Sequence, residues 1–462
     1  MLAYPNLFFT GDRDATTAYL PPCALPGAWA VRAEIWRSTF RPEKQPNRAL
    51  PACASCSVAD YCRFDDPEAL DAATLSALEP VRGAVPWESR RRDLPVPPTI
   101  VAKRPRRDVV CVAPWTTMDL HVTGRVHQCC VTWTIGHRGD VAQASLEEIW
   151  NAEGFRAARR RMSGDRVGEL CLDICPRLYD RKFEERRLCI TPGSERFVKN
   201  QLLLAEDIAE RREVVRGKPL QLSICPSTYC NYDCIMCVHG RTPRRDIDQR
   251  LWEELPAFLP TLRTLTLLGG EPLANPEVMG FLRELDGEAW PDVTVDVVTN
   301  GSLLTAKALE HMKHCAFGDV TVSLNAGSPD VYAQVMRHGD LAQVLKNVDA
   351  LIAWRARQPR FFGISLSLVV QPENQHDLVE FGRRALERNL RIRLIPLNPA
   401  ETDAPTFYED PDEVARVLEG LDRFAAFADR ARPEWREEIG ATRAAIAQHP
   451  GRGRVSLNLV RA

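Results

Sequence analysis

The sequence has no run of about 18 apolar residues, so no membrane-spanning helix is expected. Its first stretch, Met1 to Phe9, lacks the basic flank and small-residue cleavage site of an export signal, and a cytoplasmic location is the expectation. The formal net charge is only -2, which gives no global argument for binding nucleic acid or a membrane surface. Arg90–Arg92 and Arg104–Arg107 are the one hint of nucleic acid, and solvated linker charge accounts for them better. No cysteine follows Cys315, which excludes a cysteine-ligated module beyond that point. The 15 cysteines up to and including Cys315, in a chain without an export signal, argue for metal ligation in a reducing compartment rather than for disulfides.

Those cysteines fall in groups. The one that organises the chain is Cys230-Asn-Tyr-Asp-Cys234-Ile-Met-Cys237, which follows the strand-like Leu220–Ile224. Three thiolates on one short loop can hold three irons of a cubane [4Fe–4S] cluster and leave the fourth iron open; zinc or a redox dithiol could use the same spacing. Downstream, apolar β-rich runs near 219–225, 264–268, 292–298, 319–324, 361–370 and 391–396 alternate with helical patterns such as 304–313 and 341–355. Six βα units predict a parallel, partly closed barrel with ligands at the carboxyl ends of its strands. The second strand runs into Gly269-Gly270-Glu271-Pro272, the third into Thr299-Asn300-Gly301, and the fourth, through Ser323, into Asn325-Ala-Gly327.

This set of motifs, in this order, resembles the radical S-adenosylmethionine (radical SAM) superfamily over about Lys218 to Ala400. The resemblance implies an α/β fold with a partial (β/α)6 TIM barrel. It implies a [4Fe–4S] cluster on Cys230, Cys234 and Cys237, with S-adenosylmethionine (SAM) chelating the open iron. By the same resemblance Gly269, Gly270 and Glu271 form an edge that accepts hydrogen bonds from the SAM amino group, and Pro272 stiffens the turn. Asn300, Ser323 and Asn325 match positions near the SAM ribose, although the family usually has Asp where Asn325 stands. Arg337 resembles a contact to the SAM carboxylate, with a surface salt bridge as the alternative. Met236 stands where an aromatic residue often packs near adenine. No catalytic base is identifiable; Asp296 and Glu271 are candidates, each with a structural alternative.

Upstream, Cys111-x12-Gly124-x4-Cys129, the capping box Ser145-Leu-Glu-Glu148 opening a helix through Ile149 and Trp150, and the pair Cys171-x3-Cys175 form a second cysteine-rich unit. It resembles a SPASM or Twitch domain, in which Cys111, Cys129, Cys171 and Cys175 would hold an auxiliary [4Fe–4S] cluster, with Cys130 and Cys189 as spare ligands. The close pair departs from the usual Cys-x2-Cys, and such domains normally follow the core. An imperfect earlier copy carries Cys23, Cys53, Cys56 and Cys62, with Glu34-Ile-Trp36 matching Glu148-Ile-Trp150. Zinc remains an alternative for both units. The expected organisation is a SPASM-like unit (1–78), a Pro/Arg-rich linker (79–108), a SPASM/Twitch-like domain (109–195), a bridging helix (196–217), the radical SAM core (218–400) and a helical extension (401–462).

The resemblance implies reductive cleavage of SAM to a 5′-deoxyadenosyl radical that abstracts hydrogen from a peptide or protein, or from a small molecule. One or two auxiliary clusters would aid electron transfer or substrate binding, and a flavodoxin- or ferredoxin-type donor would supply the electron. No cobalamin-binding domain is recognisable. The competing reading is a non-catalytic scaffold with a degenerate barrel and zinc modules.

Overall fold

A computed structural model describes residues 111–131, 134–164, 166–171, 175, 188–237, 243–397 and 407–447. Cys23, Cys53, Cys56, Cys62 and the Pro/Arg-rich segment lie outside the described residues. The chain divides into two compact units, Met1–Arg107 with Lys182–Gly193, and Asp108–Arg181 with Ser194–Ala462. In the first, only residues 188–193 are described, and Cys189 is exposed there.

The second unit is built on one nine-stranded sheet. Its strands are β1 (Thr117–Leu120), β2 (Arg125–His127), β3 (Gly139–Asp140), β4 (Gln221–Ile224), β5 (Thr264–Leu267), β6 (Thr294–Thr299), β7 (Phe317–Ser323), β8 (Gly363–Val370) and β9 (Arg391–Pro396). β4 to β9 lie side by side in sequence order, all parallel, with helices in the connections. This is the partial barrel. Alternation sets its two faces: Leu222, Ile224, Leu265, Leu267, Val295, Val297, Val320 and Val322 are buried on one, among the core residues that the helices also feed. The other face carries Ser223, Thr266, Asp296, Thr321, Ser365 and Ser367, so the barrel interior is polar.

The hairpin of the upstream cysteine-rich unit is part of this sheet. The sequence places a short strand at Leu120–Val122, but the strand ends at Leu120. His121 to Gly124 instead make the turn, closed by His121 N–H to the Arg125 carbonyl (2.9 Å) and by Gly124 at φ +91°. β1 pairs antiparallel with β2 and parallel with β4, Thr117–Leu120 opposite Gln221–Ile224. Met118 and Leu120 thereby join the buried face of Leu222 and Ile224. The capping box forms as the sequence indicates, with Ser145 and Glu148 exchanging hydrogen bonds at the start of the helix Leu146–Trp150.

At the far edge, the helix Arg436–Ala447 covers β9. Glu438 accepts the Leu394 N–H at 2.7 Å, and the Thr442 hydroxyl donates to the Leu394 carbonyl at 3.1 Å. The C-terminal helices thus satisfy an edge strand that would otherwise invite pairing with another chain.

Candidate functional site

The cluster loop leaves the carboxyl end of β4 and is held from two sides. Asp233 N–H donates to the Arg337 carbonyl (3.3 Å) and Ile235 N–H to the Val335 carbonyl (3.1 Å), while Cys237 N–H closes on the Cys234 carbonyl (3.1 Å). Cys230 Sγ receives the Tyr232 N–H at 3.4 Å and faces Asn300 Nδ2 at 3.8 Å; Cys234 Sγ lies 3.4 Å from Met336 Sδ. Burial pushes the Cys234 thiol well above its usual range, and the neighbouring Cys237 and Cys230 add to the shift. Three thiols gathered in this way repel one another once ionised, and bound iron reverses that logic because cations stabilise thiolates. The donor set therefore fits a metal cluster. Among the described residues no three His, Cys, Asp or Glu side chains close on a single-ion site.

The GGEP turn is docked against the start of the same loop. Gly270 N–H donates to the Ser227 carbonyl (2.9 Å) and Glu271 N–H to the Tyr229 carbonyl (2.8 Å). A Cβ on Gly270 would stand 2.0 Å from the Tyr229 oxygen, and Gly269, at φ +124°, would drive one into Cys225 Sγ. Only glycine allows this approach. With those N–H groups occupied, the carbonyl oxygens of Gly269 and Gly270 are what the edge offers a ligand, and they suit an ammonium. The sequence assigns Glu271 to that edge or to proton transfer, but its carboxylate, 1% exposed, is engaged elsewhere. It accepts from the Thr299 hydroxyl (2.8 Å), the Asn300 N–H (2.7 Å) and the Leu273 N–H (3.0 Å), tying the GGEP turn to Thr299-Asn300-Gly301. Burial pushes this carboxyl up to about 7 against the pull of those donors. Pro272 opens the short turn Pro272–Ala274.

Asn300 bridges to the loop through Asn231 Oδ1 (2.9 Å) and accepts from Ser302. Ser323 sits on β7, 3.4 Å from Ser367. Asn325 is buried in the left-handed region, φ +59°; its side chain accepts the Val369 N–H (2.8 Å) and reaches Met336 Sδ at 3.1 Å. Arg337 is half exposed, 3.8 Å from Asp233 Oδ2, while Asp233 Oδ1 is buried with no hydrogen-bond partner among the described residues. Met236, within the loop, is buried.

Below these strand ends lies a row of which the sequence singles out only Asp296. Asp119, Ser223, Thr266, Asp296 and Asp319 are register partners on β1, β4, β5, β6 and β7 and so share one face. Asp296, Val298 and Asn300 alternate along β6, so this face is the one that meets Cys230. Asp119 keeps some exposed surface, yet its carboxyl is enclosed and burial pushes it up to about 7. Asp296 is pushed up to about 6 by burial while accepting the Asp319 N–H at 2.8 Å. Asp319 pairs with Arg391 and, at 3.3 Å, with Arg393. Strand pairing is needed to find Asp119; its polar position among apolar neighbours was the only sequence signal.

The upstream unit gathers Cys111, Cys171 and Cys175. Burial pushes the Cys171 thiol up to about 11, with Cys175 and Cys111 next in effect. Cys129 is partly buried and Cys130 exposed. Gln128, immediately before Cys129, donates to the Leu170 carbonyl at 3.5 Å, and Thr134 bridges to Cys171, which brings the two halves of the unit together. These thiols too fit a cluster. Nearby His127 is pushed down to about 3 by burial and by surrounding cationic groups, and its Nδ1 lies 3.0 Å from the Thr134 hydroxyl.

Residues 224–385 match the radical SAM superfamily and residues 111–176 match SPASM, an iron–sulfur cluster-binding domain. GTP 3′,8-cyclase of Rhizobium meliloti is 29% identical over 210 residues, 43% of this chain and 58% of that protein. GTP 3′,8-cyclase of Pseudomonas fluorescens is 30% identical over 203 residues, 41% of this chain and 59% of that protein. Among solved structures, Streptococcus suis SuiB bound to S-adenosylmethionine has 15% identity and a TM-score of 0.39, with 59% of this chain and 63% of that chain covered. The chain therefore spans less than two thirds of the length of these curated relatives. Residues 111–385 carry a SPASM-type iron–sulfur cluster-binding region followed, on the same sheet, by a radical SAM region.

Proposed function

We propose that the protein is a radical SAM enzyme that abstracts hydrogen from a peptide or protein, or from a small molecule, with an auxiliary cluster on Cys111, Cys129, Cys171 and Cys175. The carrying observation is the convergence of the Cys230–Cys237 loop with the Gly269–Gly270 edge at the carboxyl ends of β4 and β5. When bound, the cluster and SAM supply the electron and the primary radical. Cys230, Cys234 and Cys237 would hold the cluster. The Gly269 and Gly270 carbonyls would receive the SAM amino group, and Arg337 its carboxylate.

Around that centre the chain orients and encloses. Glu271 fixes the distance between the GGEP turn and Asn300, so the two sides of the SAM site cannot drift apart. The polar interior lies on the same side and is where a substrate would be held out of bulk water. Enclosure limits side reactions of a radical. Asp119 and Asp296, with carboxyls near neutrality, are the groups there able to take or give a proton at working pH.

The test is anaerobic reconstitution with iron, sulfide and zinc counted per chain, followed by dithionite and SAM and an assay for 5′-deoxyadenosine. Two cubanes give about eight irons, and about twelve if Cys23, Cys53, Cys56 and Cys62 also load. Formation of 5′-deoxyadenosine, abolished in Cys234→Ala, is the expected result. A fully loaded, reduced protein that forms none, or a chain that takes up zinc instead of iron, would favour the scaffold reading.

A further inference from the structure

A buried cation with no carboxylate partner among the described residues stands beside the upstream thiols. Arg138 is 8% exposed. Its Nε donates to Gln128 Oε1 (2.5 Å), and its Nη atoms donate to the carbonyls of Ile135 (2.6 Å) and His137 (3.5 Å). Every one of these acceptors is neutral, and among the described residues Arg138 has no ion pair. Burial lowers its proton affinity and the nearby Arg161 lowers it further; among the described residues, Cys171 as a thiolate acts in the opposite direction. His127 nearby supplies no countercharge either: burial pushes it down to about 3, so it is neutral near pH 7.

Arg159, the other arginine buried among the described residues, shows what is missing. Arg159, fully buried, donates to four oxygens, lies 4.5 Å over the Trp150 ring and has the Asp207 carboxylate to offset its charge. Among the described residues, Arg138 has neither ring nor carboxylate in that role. Taking a guanidinium out of water costs several kcal/mol unless an opposite charge meets it. The Gln128 that grips its Nε also contacts Cys171 and the Leu170 carbonyl, which points the cation toward the thiol cluster.

We propose that Arg138, oriented by Gln128, is the countercharge of the auxiliary iron–sulfur cluster and raises its reduction potential. This rests on the reading of Cys111, Cys129, Cys171 and Cys175 as cluster ligands. A thiolate-ligated cubane carries net negative charge, which gains another unit on one-electron reduction, so a fixed cation in low dielectric favours the reduced form. Arg138 acts through the cluster and is a positioning residue. Its effect is on how readily the auxiliary site accepts an electron relative to the site on Cys230.

The experiment is an anaerobic redox titration, followed by electron paramagnetic resonance, of the full chain carrying Cys234→Ala so that the SAM-binding cluster does not contribute. Arg138→Gln should make the one-electron reduction equilibrium of the auxiliary cluster at least about tenfold less favourable, about 59 mV. Arg138→Lys should recover most of that. An unchanged midpoint in a fully loaded Arg138→Gln protein overturns the proposal. Loss of iron in Arg138→Gln with retention in Arg138→Lys supports a countercharge, whereas loss in both makes Arg138 a structural clamp and overturns it. If the parent chain loads no auxiliary cluster, the ligand assignment itself fails, and the iron count shows this separately.

Discussion

At the scale of single residues, Glu271 has the clearest consequences. A carboxyl whose folded value stands near 7, above an ordinary 4.5, holds its proton in the folded state after the unfolded chain has released it. Its contribution to stability is complete below about pH 4 and is lost as pH rises through 7, about 3 kcal/mol in all. Urea unfolding of the apo chain should therefore show that Glu271→Gln removes part of the loss of stability between pH 5 and 7.5. Identical pH dependence in both proteins would count against this. Gly270→Ala tests the turn by sterics rather than charge. The Tyr229 carbonyl it would meet is backbone and cannot rotate away, so the cluster loop must shift. We expect Gly270→Ala to lose about four irons per chain while the auxiliary site keeps its own, read by iron analysis.

Residues whose chemistry needs neighbours in sequence were legible before the fold was known: the three cysteines of the loop, the two glycines, Thr299-Asn300-Gly301. Arg138, Asp119 and the tie made by Glu271 were not. Their meaning depends on which strand lies beside which, and that is decided by packing rather than by local pattern.

At the scale of elements, the helix Leu146–Trp150 joins the hairpin unit to the entry of β4. Trp150 Nε1 donates to the Gly217 carbonyl at 2.7 Å, its ring lies 5.0 Å from Phe155, and Arg159 covers it. Trp150→Ala should cost about 3–5 kcal/mol in urea unfolding, since it removes a buried ring, a hydrogen bond and the seat of a buried cation. A cost under 1 kcal/mol would mean that the helix is peripheral. Most elements were readable from periodicity: the helix at 341–355 falls where its pattern puts it, and the six barrel strands differ by at most two residues at either end. The exception is instructive. The apolar pattern of Leu120-His-Val122 suggested a strand, but Gly124 at positive φ needs a turn before it, so the strand shifts toward Thr117.

At the scale of the whole second unit, β3 to β9 are one sheet, and the hairpin has no independent boundary with the barrel. Loading the auxiliary site should therefore stabilise the barrel as well, because a ligand that binds only the folded form shifts the entire cooperative transition. Cys171→Ala in the iron-loaded protein should lower one common midpoint of far-ultraviolet circular dichroism and cluster absorbance. Two separated transitions would show that the hairpin melts alone. The parallel barrel was legible from six alternating strands and helices, whereas the seventh parallel strand was not, since β1 and β4 are separated by some hundred residues of sequence.

That separation gives the pairing a direction in time. During synthesis at about 5–20 residues per second, Leu120 is joined to the chain roughly 5–20 s before Gln221. β1 and β2 can close into their hairpin by local contacts while β4 does not yet exist. When β4 emerges, its partner β1 has already been made, and each later strand likewise follows the neighbour it pairs with. The sheet can therefore be paired in the order of synthesis from β4 to β9, with no strand waiting for one still to come.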